Sequence, residues 1–410
     1  MGTLSYSRAM PSQTELQRLH HFLSAAQADY LRDLERLVNI DCGSYTKAGV
    51  DEVGRWVAGQ LRDLDAQVTI EPNDELGDTV LGSLSGTEPA GQRVLLIGHM
   101  DTVFPEGTVA ERPFSLRNGR AHGPGVTDMK GGLLAGLYAL RALRDLGEWP
   151  FARLTFVANP DEEIGSPASS AVIRREAAQA DVVLVLECAR ANGDIVSARK
   201  GVVDLCLRLA GRAAPAGVEH EKGRSAVLEA AHKTVALQEL NGRWPGVTVN
   251  VGVIRGGTRP NVVAQSAELE VDLRATARAT MEEAEAAVGE VCASATVGDV
   301  SCEIEERARH WPMEKSEAST RLVEQAVEIA QRLGFELNDA ATGGASDANT
   351  TAGMGLPTLD GLGPVGGNDH SPAEYLEVDS IVPRTTLLAG LLVSVGRGEA
   401  QRRSVPRQRR

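Results

Sequence analysis

Several short apolar segments of the sequence end in histidine or carboxylate side chains, the residue types that bind divalent metal ions. The first segment, residues 94–98, is followed by His99 and Asp101. Residues two apart in a strand point to the same side, so these two side chains are predicted to project together. A carboxylate near a metal-binding imidazole can fix its second ring nitrogen. By itself the motif is equally typical of a polar strand end, because three residues make a weak signal.

Acidic residues stand at three further places of this kind. Asp128 ends a glycine-rich loop before an apolar helix, where its two oxygens could bridge two cations. Asp161, Glu162 and Glu163 follow another apolar run and would repel one another unless cations or partners neutralise them. Glu187 ends a further run in the same way. Each alone is typical of a solvated loop or a helix cap, but together, at one edge of a parallel sheet, they favour a ligand site.

If His99 and these acids bind a metal, we expect a second histidine ligand further along the chain. The five cysteines have no CxxC spacing, so imidazole and carboxylate remain as ligands, which favours zinc with cobalt or manganese as substitutes. His370, after the glycine pair in GGNDHSPAEYLEV, is the best placed of the remaining histidines. His122 stands in the same loop as Asp128 but beside a glycine turn, and is less well placed.

The elements that must position these residues alternate between helical and strand-like patterns. Apolar residues recur at helical spacing over about residues 15–66 and 130–146. Continuous apolar runs predict strands at 68–70, 80–84, 94–98, 154–158 and 182–186. Such runs are typical of a mostly parallel sheet covered by helices, so the predicted fold class is α/β.

A second domain is predicted within the first. Between about residues 201 and 312 the pattern becomes strand, helix, two strands, helix and strand. This is the order of a ferredoxin-like α+β sandwich, so we predict an inserted domain over 201–312. Residues 1–200 and 313–395 then form the α/β domain. The basic, polar segment 396–410 is predicted to be a disordered, solvated tail.

Composition and charge narrow the classes of function. Of the 410 residues, 42% are hydrophobic and 24% charged, as in a globular protein with a sizeable core. The formal net charge of -14 disfavours nucleic acid or an anionic membrane as the main partner. No apolar segment is expected to reach the roughly 18 residues of a membrane span, and no signal peptide is expected at the N-terminus. With unpaired cysteines, this predicts a cytoplasmic protein.

The motifs GHMDTV, GPGVTDMKGG, NPDEEIG, LECAR and HSPAEY together resemble those of the co-catalytic dinuclear zinc peptidases. This family includes glutamate carboxypeptidases, aminoacylases and succinyl-diaminopimelate desuccinylase, and the glutamate carboxypeptidase branch is the most similar. The resemblance extends over about residues 28–395 and implies two zinc ions per chain. The implied metal ligands are His99, Asp128, Glu163, Glu187 and His370.

The resemblance also implies roles for individual residues. Asp128 would bridge both ions and form a cis peptide bond with Met129. Glu162 would be the general base that activates water, and Asp101 would support His99. Residues 1–200 and 313–395 would be the catalytic domain, and 201–312 a lid through which many members of the family dimerise. A homodimeric metallopeptidase is therefore expected.

Substrate-binding residues are implied in the lid. Asn261 and Arg274 match positions where the family binds substrate, and Arg274 could grip a carboxylate with two hydrogen bonds. Arg274 is also placed for an ordinary strand ion pair with Asp272. The expected reaction is hydrolysis of the amide bond of an N-acyl amino acid or short peptide at its C-terminal residue. The alternatives are an aminoacylase or other amidohydrolase, and a non-catalytic metal-bound relative that binds acyl amino acids.

One segment departs from the family pattern. Where the family has a lid histidine and, five residues later, a proline, this sequence has Pro215 and then His220. The family's histidine is thought to donate a hydrogen bond to the reaction's oxyanion at a neighbouring subunit's site, and Pro215 has no donor. His220 could substitute only in a reshaped loop; otherwise it is a solvent-exposed histidine before a helix. The departure predicts a folded, dinuclear and dimeric protein with weak turnover.

Overall fold

The computed structural model describes residues 10–398, so residues 399–410 of the predicted tail lie outside the described residues. The chain separates into two compact units. Unit 1 contains the described residues up to Ser197, the segment Lys315–Ala340 and the residues from Ser346 onward. Unit 2 contains Ala198–Glu314 and Ala341–Ala345.

The helices and strands follow one another along the described chain with these bounds. The helices are α1 (Gln13–Val38), α2 (Lys47–Asp63), α3 (Thr108–Glu111), α4 (Gly132–Leu146), α5 (Ser170–Ala177), α6 (Ala226–Gln238), α7 (Arg278–Ala293), α8 (Glu317–Leu333), α9 (Asp347–Gly353) and α10 (Ile381–Gly396). The strands are β1 (Gln67–Glu71), β2 (Thr79–Ser85), β3 (Arg93–His99), β4 (Ser115–Arg117), β5 (Arg120–His122), β6 (Arg153–Asn159), β7 (Val182–Val185), β8 (Ile195–Arg199), β9 (Gly201–Ala210), β10 (Thr248–Gly256), β11 (Ser266–Ala275), β12 (Ser301–His310), β13 (Asp339–Thr342), β14 (Thr358–Leu359), β15 (Gly366–Gly367) and β16 (Tyr375–Glu377).

The main sheet of unit 1 has the strand order β1–β2–β6–β3–β7–β14 within the described residues. Strands β6, β3, β7 and β14 run parallel, whereas β2 pairs antiparallel with both β1 and β6. The predicted α/β class is confirmed, with a sheet that becomes antiparallel towards one edge. Because β3, β6 and β7 are parallel, their carboxyl ends meet at one edge, and the loops that follow them share it.

Helix α10 lies in the core of unit 1, where it packs against α1, α4 and α8. Within residues 10–398, the stretch Val378–Gly396 is long and apolar enough to cross a membrane by length and composition alone. The expectation that no apolar segment reaches this length was therefore wrong. The stretch is 78% buried inside the protein, and a core helix needs an apolar surface on all sides for the same reason that a membrane helix does.

A small second sheet of unit 1 was missed by the sequence patterns because its strands have only two or three residues. Its strand order is β15–β16–β5–β4, with antiparallel pairing throughout. The loop between β15 and β16 contains His370, and the loop after β5 leads to Asp128. Pairing of β16 with β5 thus brings together two segments that are far apart in sequence.

Unit 2 contains a four-stranded antiparallel sheet with the order β10–β11–β9–β12. Along the chain its elements run β9, α6, β10, β11, α7 and β12, the order of a ferredoxin-like sandwich. Alternate residues of β9 and β11 point into an apolar core shared with α6 and α7, as the period of two in a strand requires. Strand β10 lies at an edge of this sheet.

Helix α4 lies so close to the end of β7 that we expect residues larger than glycine at position 132 to destabilise the protein. A Cβ atom there would lie 1.7 Å from the carbonyl oxygen of Leu186, so Gly132→Ala must push the helix away from the sheet. We expect this variant to lose roughly 1–3 kcal/mol of unfolding free energy, measured by urea denaturation.

Gly59, inside α2, is the matched control because a Cβ atom there would meet nothing within 4 Å. Gly59→Ala should gain about 0.5–1 kcal/mol, since alanine is the better helix former. A Gly132→Ala variant as stable as the wild type would contradict the close packing described here.

Candidate metal centre

His99 is the last residue of β3, and its imidazole is held by Asp101 at the same buried edge of the sheet. Nδ1 of His99 lies 3.0 Å from the backbone oxygen of Asp101 and 3.3 Å from its carboxylate Oδ1. Both oxygens can only accept, so Nδ1 carries the proton and donates it. Once Nε2 of His99 has given up its own proton, its lone pair faces the cluster, and this is the form of histidine that binds a metal.

Asp128 lies between the two histidines of the cluster. Its Oδ1 is 3.2 Å from Nε2 of His99, and its Oδ2 is 3.0 Å from Nε2 of His370. The peptide bond between Asp128 and Met129 is cis, as predicted. One carboxylate therefore has one oxygen directed at each imidazole, which is the arrangement that a bridging ligand requires.

Two further carboxylates complete the surroundings of the histidines. Glu163 Oε2 lies 3.1 Å from Nε2 of His370, and Glu187 Oε1 lies 3.7 Å from Nε2 of His99. Possible ligand atoms of His99, Glu162 and Glu187 all lie within 4.8 Å of one another. The structure thus brings together all five residues predicted as ligands and the predicted general base, although their roles stay predictions.

The imidazoles are strongly influenced by the acids around them. Hydrogen bonds to Asp128 and Glu163 raise the pKa of His370 to about 11. Burial lowers the pKa of His99, but the Glu187 carboxylate and its neighbours outweigh burial and raise this pKa well above its ordinary value. A metal must displace these protons to bind, so metal uptake by the site is coupled to proton release.

Two observations show that the cluster fits divalent cations. Within the described residues, Glu163 Oε1 is buried and has no hydrogen-bond partner, which is costly for a carboxylate oxygen unless a cation binds it. Burial, assisted by the nearby Glu187 carboxylate, raises the pKa of Glu162 well above its ordinary value. The site is therefore short of positive charge, and its imidazole and carboxylate donors, without thiolates, suit zinc.

The three consecutive acidic residues after β6 have two different structural roles. Asp161 is fully buried and accepts hydrogen bonds from the Ser169 hydroxyl and from the backbone N–H groups of Ala168 and Ser169, at the start of α5. It therefore anchors the loop. Glu162 and Glu163 are left to face the cluster, so the repulsion expected within the run is reduced to one pair.

Several residues that support the cluster were given no role by the sequence analysis. The Ser44 hydroxyl donates to Oδ2 of Asp101 at 2.7 Å. Glu374, four residues after His370, accepts three backbone hydrogen bonds from the Asp128 loop. Asp347, at the start of α9, accepts from the Ser166 hydroxyl at 2.7 Å. Glu374 stands inside the HSPAEY motif, but residue type and spacing do not show, without the fold, which groups these polar side chains contact.

The histidine that was less well placed in the sequence is engaged elsewhere. His122 belongs to β5, and its Nδ1–H donates to the backbone oxygen of Glu374 at 3.1 Å. It pairs with Tyr375 of β16 in the small sheet. His122 therefore helps to join the two loops rather than the cluster itself.

The predicted substrate-binding residues lie in unit 2, which contains none of the five predicted ligands. Arg274 on β11 donates from Nε and Nη2 to Asp272 and from Nη1 to the backbone oxygen of Gly343, so the strand ion pair is present. The side chain of Asn261 is exposed. His220 is exposed in a short turn before α6. Their roles towards a substrate stay predictions.

Comparisons with known proteins agree on one family. A family model described as peptidase family M20/M25/M40 matches residues 95–394. The chain is 29% identical over 378 residues to carboxypeptidase G2 from Pseudomonas sp. (strain RS-16), with 91% of each protein covered. It is 28% identical over 357 residues to acetylornithine deacetylase from Proteus mirabilis (strain HI4320), covering 82% of this chain and 88% of that protein. The structure of aminopeptidase PepT from Bacillus cereus matches with a TM-score of 0.75 at 23% identity, over 90% of this chain and 98% of that one, which shows the shared fold.

Proposed function

The chain belongs to peptidase family M20/M25/M40, and on this premise we propose that it is a dinuclear zinc hydrolase. It cleaves the amide bond of an N-acyl amino acid or short peptide at its C-terminal residue. The observation that carries this proposal is the Asp128 carboxylate, with one oxygen directed at each of two imidazoles. Cobalt or manganese could replace zinc, because both accept the same ligands.

The proposed ligands divide into two sets that share Asp128. His99 and Glu187 would hold one ion, and His370 and Glu163 the other. When bound, two such ions lower the pKa of a shared water molecule and polarise the scissile carbonyl group.

Glu162 acts as the general base in this proposal. Its carboxylate takes a proton from the attacking water and passes it to the leaving nitrogen, so that water is added across the amide bond. Oδ1 of Asp101 accepts the backbone N–H of Glu162, and Oδ2 accepts that of Glu163, each at 3.2 Å. The base is therefore anchored to the same aspartate that orients His99, which fixes its position beside the reacting atoms.

The substrate's free carboxylate is assigned to unit 2. Arg274 keeps a partly exposed guanidinium group in spite of its pairing with Asp272, and such a group can bind a carboxylate through two parallel hydrogen bonds. Asn261 would donate beside it. The similarity to carboxypeptidase G2 supports a C-terminal amino acid as the leaving group.

The similarity to acetylornithine deacetylase favours a second candidate, an amidohydrolase of the aminoacylase kind. Both candidates break an amide bond to the α-nitrogen of an amino acid and differ in the size of the acyl group. The two candidates can be distinguished by measuring the release of free amino acid from an acetylated amino acid and comparing it with the release from a dipeptide or from a derivative with a bulky acyl group. A third candidate is a metal-bound relative with weak or no activity. It rests on Pro215, which stands where the family has its lid histidine.

We also propose that the protein is a cytoplasmic homodimer that pairs through unit 2. Helix α6 exposes Leu228 and Val235, seven residues apart and so on one face, and the edge strand β10 exposes Ile254. Such apolar side chains and an unpaired strand edge within unit 2 support pairing with a second copy. The cysteines, all within residues 10–398, are free thiols, which supports a reducing compartment.

Glu162→Gln tests the proposed chemistry. The amide cannot take a proton from water, so kcat on the best N-acyl amino acid should fall by about 10²–10⁴-fold in a ninhydrin assay. The zinc content, two ions per chain by inductively coupled plasma analysis, should not change. Glu52→Gln, an exposed carboxylate on α2, is the control and should keep full activity. A wild type without zinc or hydrolytic activity would refute the proposed function.

The exchanged lid residues provide a second test. Pro215 is exposed and forms an isolated β-bridge with Val262, and His220 is exposed as well. The double variant Pro215→His with His220→Pro restores the family's order. If a donor to the oxyanion is missing, kcat at saturating zinc should rise tenfold or more, because one such donor is worth about 10²–10³ in rate. An unchanged kcat would mean that His220 already serves or that no lid histidine is needed.

The proposed dimer can be tested separately from catalysis. Leu228→Glu places a charge on the exposed face of α6 and should convert a dimer into a monomer in sedimentation velocity experiments. Leu116→Glu, at a similarly exposed leucine of unit 1, should leave the dimer intact. A wild type that sediments as a monomer at micromolar concentration would exclude the dimer.

A further inference from the structure

The loop that carries Asp128 is held from outside by one buried carboxylate. Gly125 has a φ of 72°, and Asp128 and Met129 have non-helical backbone angles inside the turn Val126–Gly131, so the backbone of this loop is not that of a regular helix. Oε2 of Glu374 accepts the backbone N–H of Gly125 at 2.9 Å. Its Oε1 accepts the N–H groups of Thr127 at 2.9 Å and Asp128 at 3.1 Å. Glu374 is 1% exposed, so these bonds are shielded from water.

The same residue is fixed on the segment that carries the second histidine. Glu374 lies between His370 and strand β16, and its backbone N–H donates to the oxygen of Ser371 at 3.2 Å. Its backbone oxygen accepts Nδ1–H of His122 on β5 at 3.1 Å. Through one residue, the position of His370 is therefore linked to the position of Asp128.

We propose that Glu374 is a positioning residue for the metal centre. It holds the Asp128 backbone so that Oδ1 reaches Nε2 of His99 while Oδ2 reaches Nε2 of His370. This inference rests on the proposed dinuclear centre, but it concerns how tightly that centre holds its ions rather than the reaction itself. Residues that orient metal ligands typically contribute about 10–100-fold to metal affinity.

The clamp depends on a carboxylate because all three of its partners are donors. A glutamine of the same shape has one oxygen and one NH₂ group. Whichever way the amide is turned, the NH₂ group faces at least one backbone N–H, which leaves a buried donor without an acceptor. The Asp128 loop would then shift or loosen, although no predicted ligand is altered.

Glu374→Gln is therefore the test, with zinc affinity as the readout. In competition with a chromophoric chelator, the variant should bind zinc about 10–100-fold more weakly than the wild type. The rise in unfolding free energy on adding zinc should be smaller by the equivalent, about 1.4–2.8 kcal/mol. Glu374→Asp, which keeps the charge but is one methylene shorter, should show a reduction of the same kind, and it carries the comparison if the first variant does not fold.

Glu229→Gln is the matched control, because Glu229 is also buried and accepts the backbone N–H groups of Thr296 and Val297. It lies in unit 2, which contains none of the predicted ligands. This variant should lower the metal-free stability and leave zinc affinity unchanged. Equal zinc affinity in Glu374→Gln and the wild type, or an equal loss in both Gln variants, would overturn the inference. A wild type that binds no zinc would instead overturn the proposed metal centre, and the inference with it.

Discussion

The concentration of negative charge at one edge of the main sheet is the constraint on which the rest of unit 1 depends. Asp128, Glu162, Glu163 and Glu187 all face a cluster with two imidazoles, and one buried oxygen of Glu163 has no hydrogen-bond partner within the described residues. Like charges at this spacing repel, so such a site persists only where the backbone holds it and cations can neutralise it. The charge that would attract cations to this edge therefore also opposes its folding when no cation is bound.

The fold brings the predicted ligands together from separate segments of the chain and holds these segments with buried polar contacts. Parallel pairing of β3, β6 and β7 places the ends of three strands side by side. The small sheet positions the two loops that carry His370 and Asp128, which do not follow any of these three strands. Asp101 then ties the segment after β3 to the segment after β6. The contacts that hold these segments are made by carboxylates that accept backbone N–H groups, so the supporting residues are acidic like the predicted ligands.

The sequence identified the residues that cluster at this edge more fully than the residues that support them. His99, Asp128 and Glu163 stand at the ends of apolar runs, within motifs that together resemble those of a known family, and this combination was enough to predict that they lie together. The parallel strands were also found, because their apolar runs are continuous. Glu374 also stands within a motif, HSPAEY, but its role depends on which backbone N–H groups lie opposite its carboxylate. That is decided by strands of only two or three residues, which the sequence patterns do not show. The apolar stretch Val378–Gly396 was not expected to reach the length of a membrane span. Its apolar composition is explained by its burial inside the protein, which only the structure shows.

The division of the chain also determines the order in which the protein can fold during synthesis. Unit 2 is almost one continuous stretch, so its core is complete once Val300 and the strand after it have left the ribosome. Unit 1 must wait for α10, which packs against α1, and the Arg397–Glu15 ion pair joins residues 382 apart. The apolar strands in the first part of the chain therefore lack part of their cover until α10 has been made, and during that interval their exposed surface favours aggregation over folding.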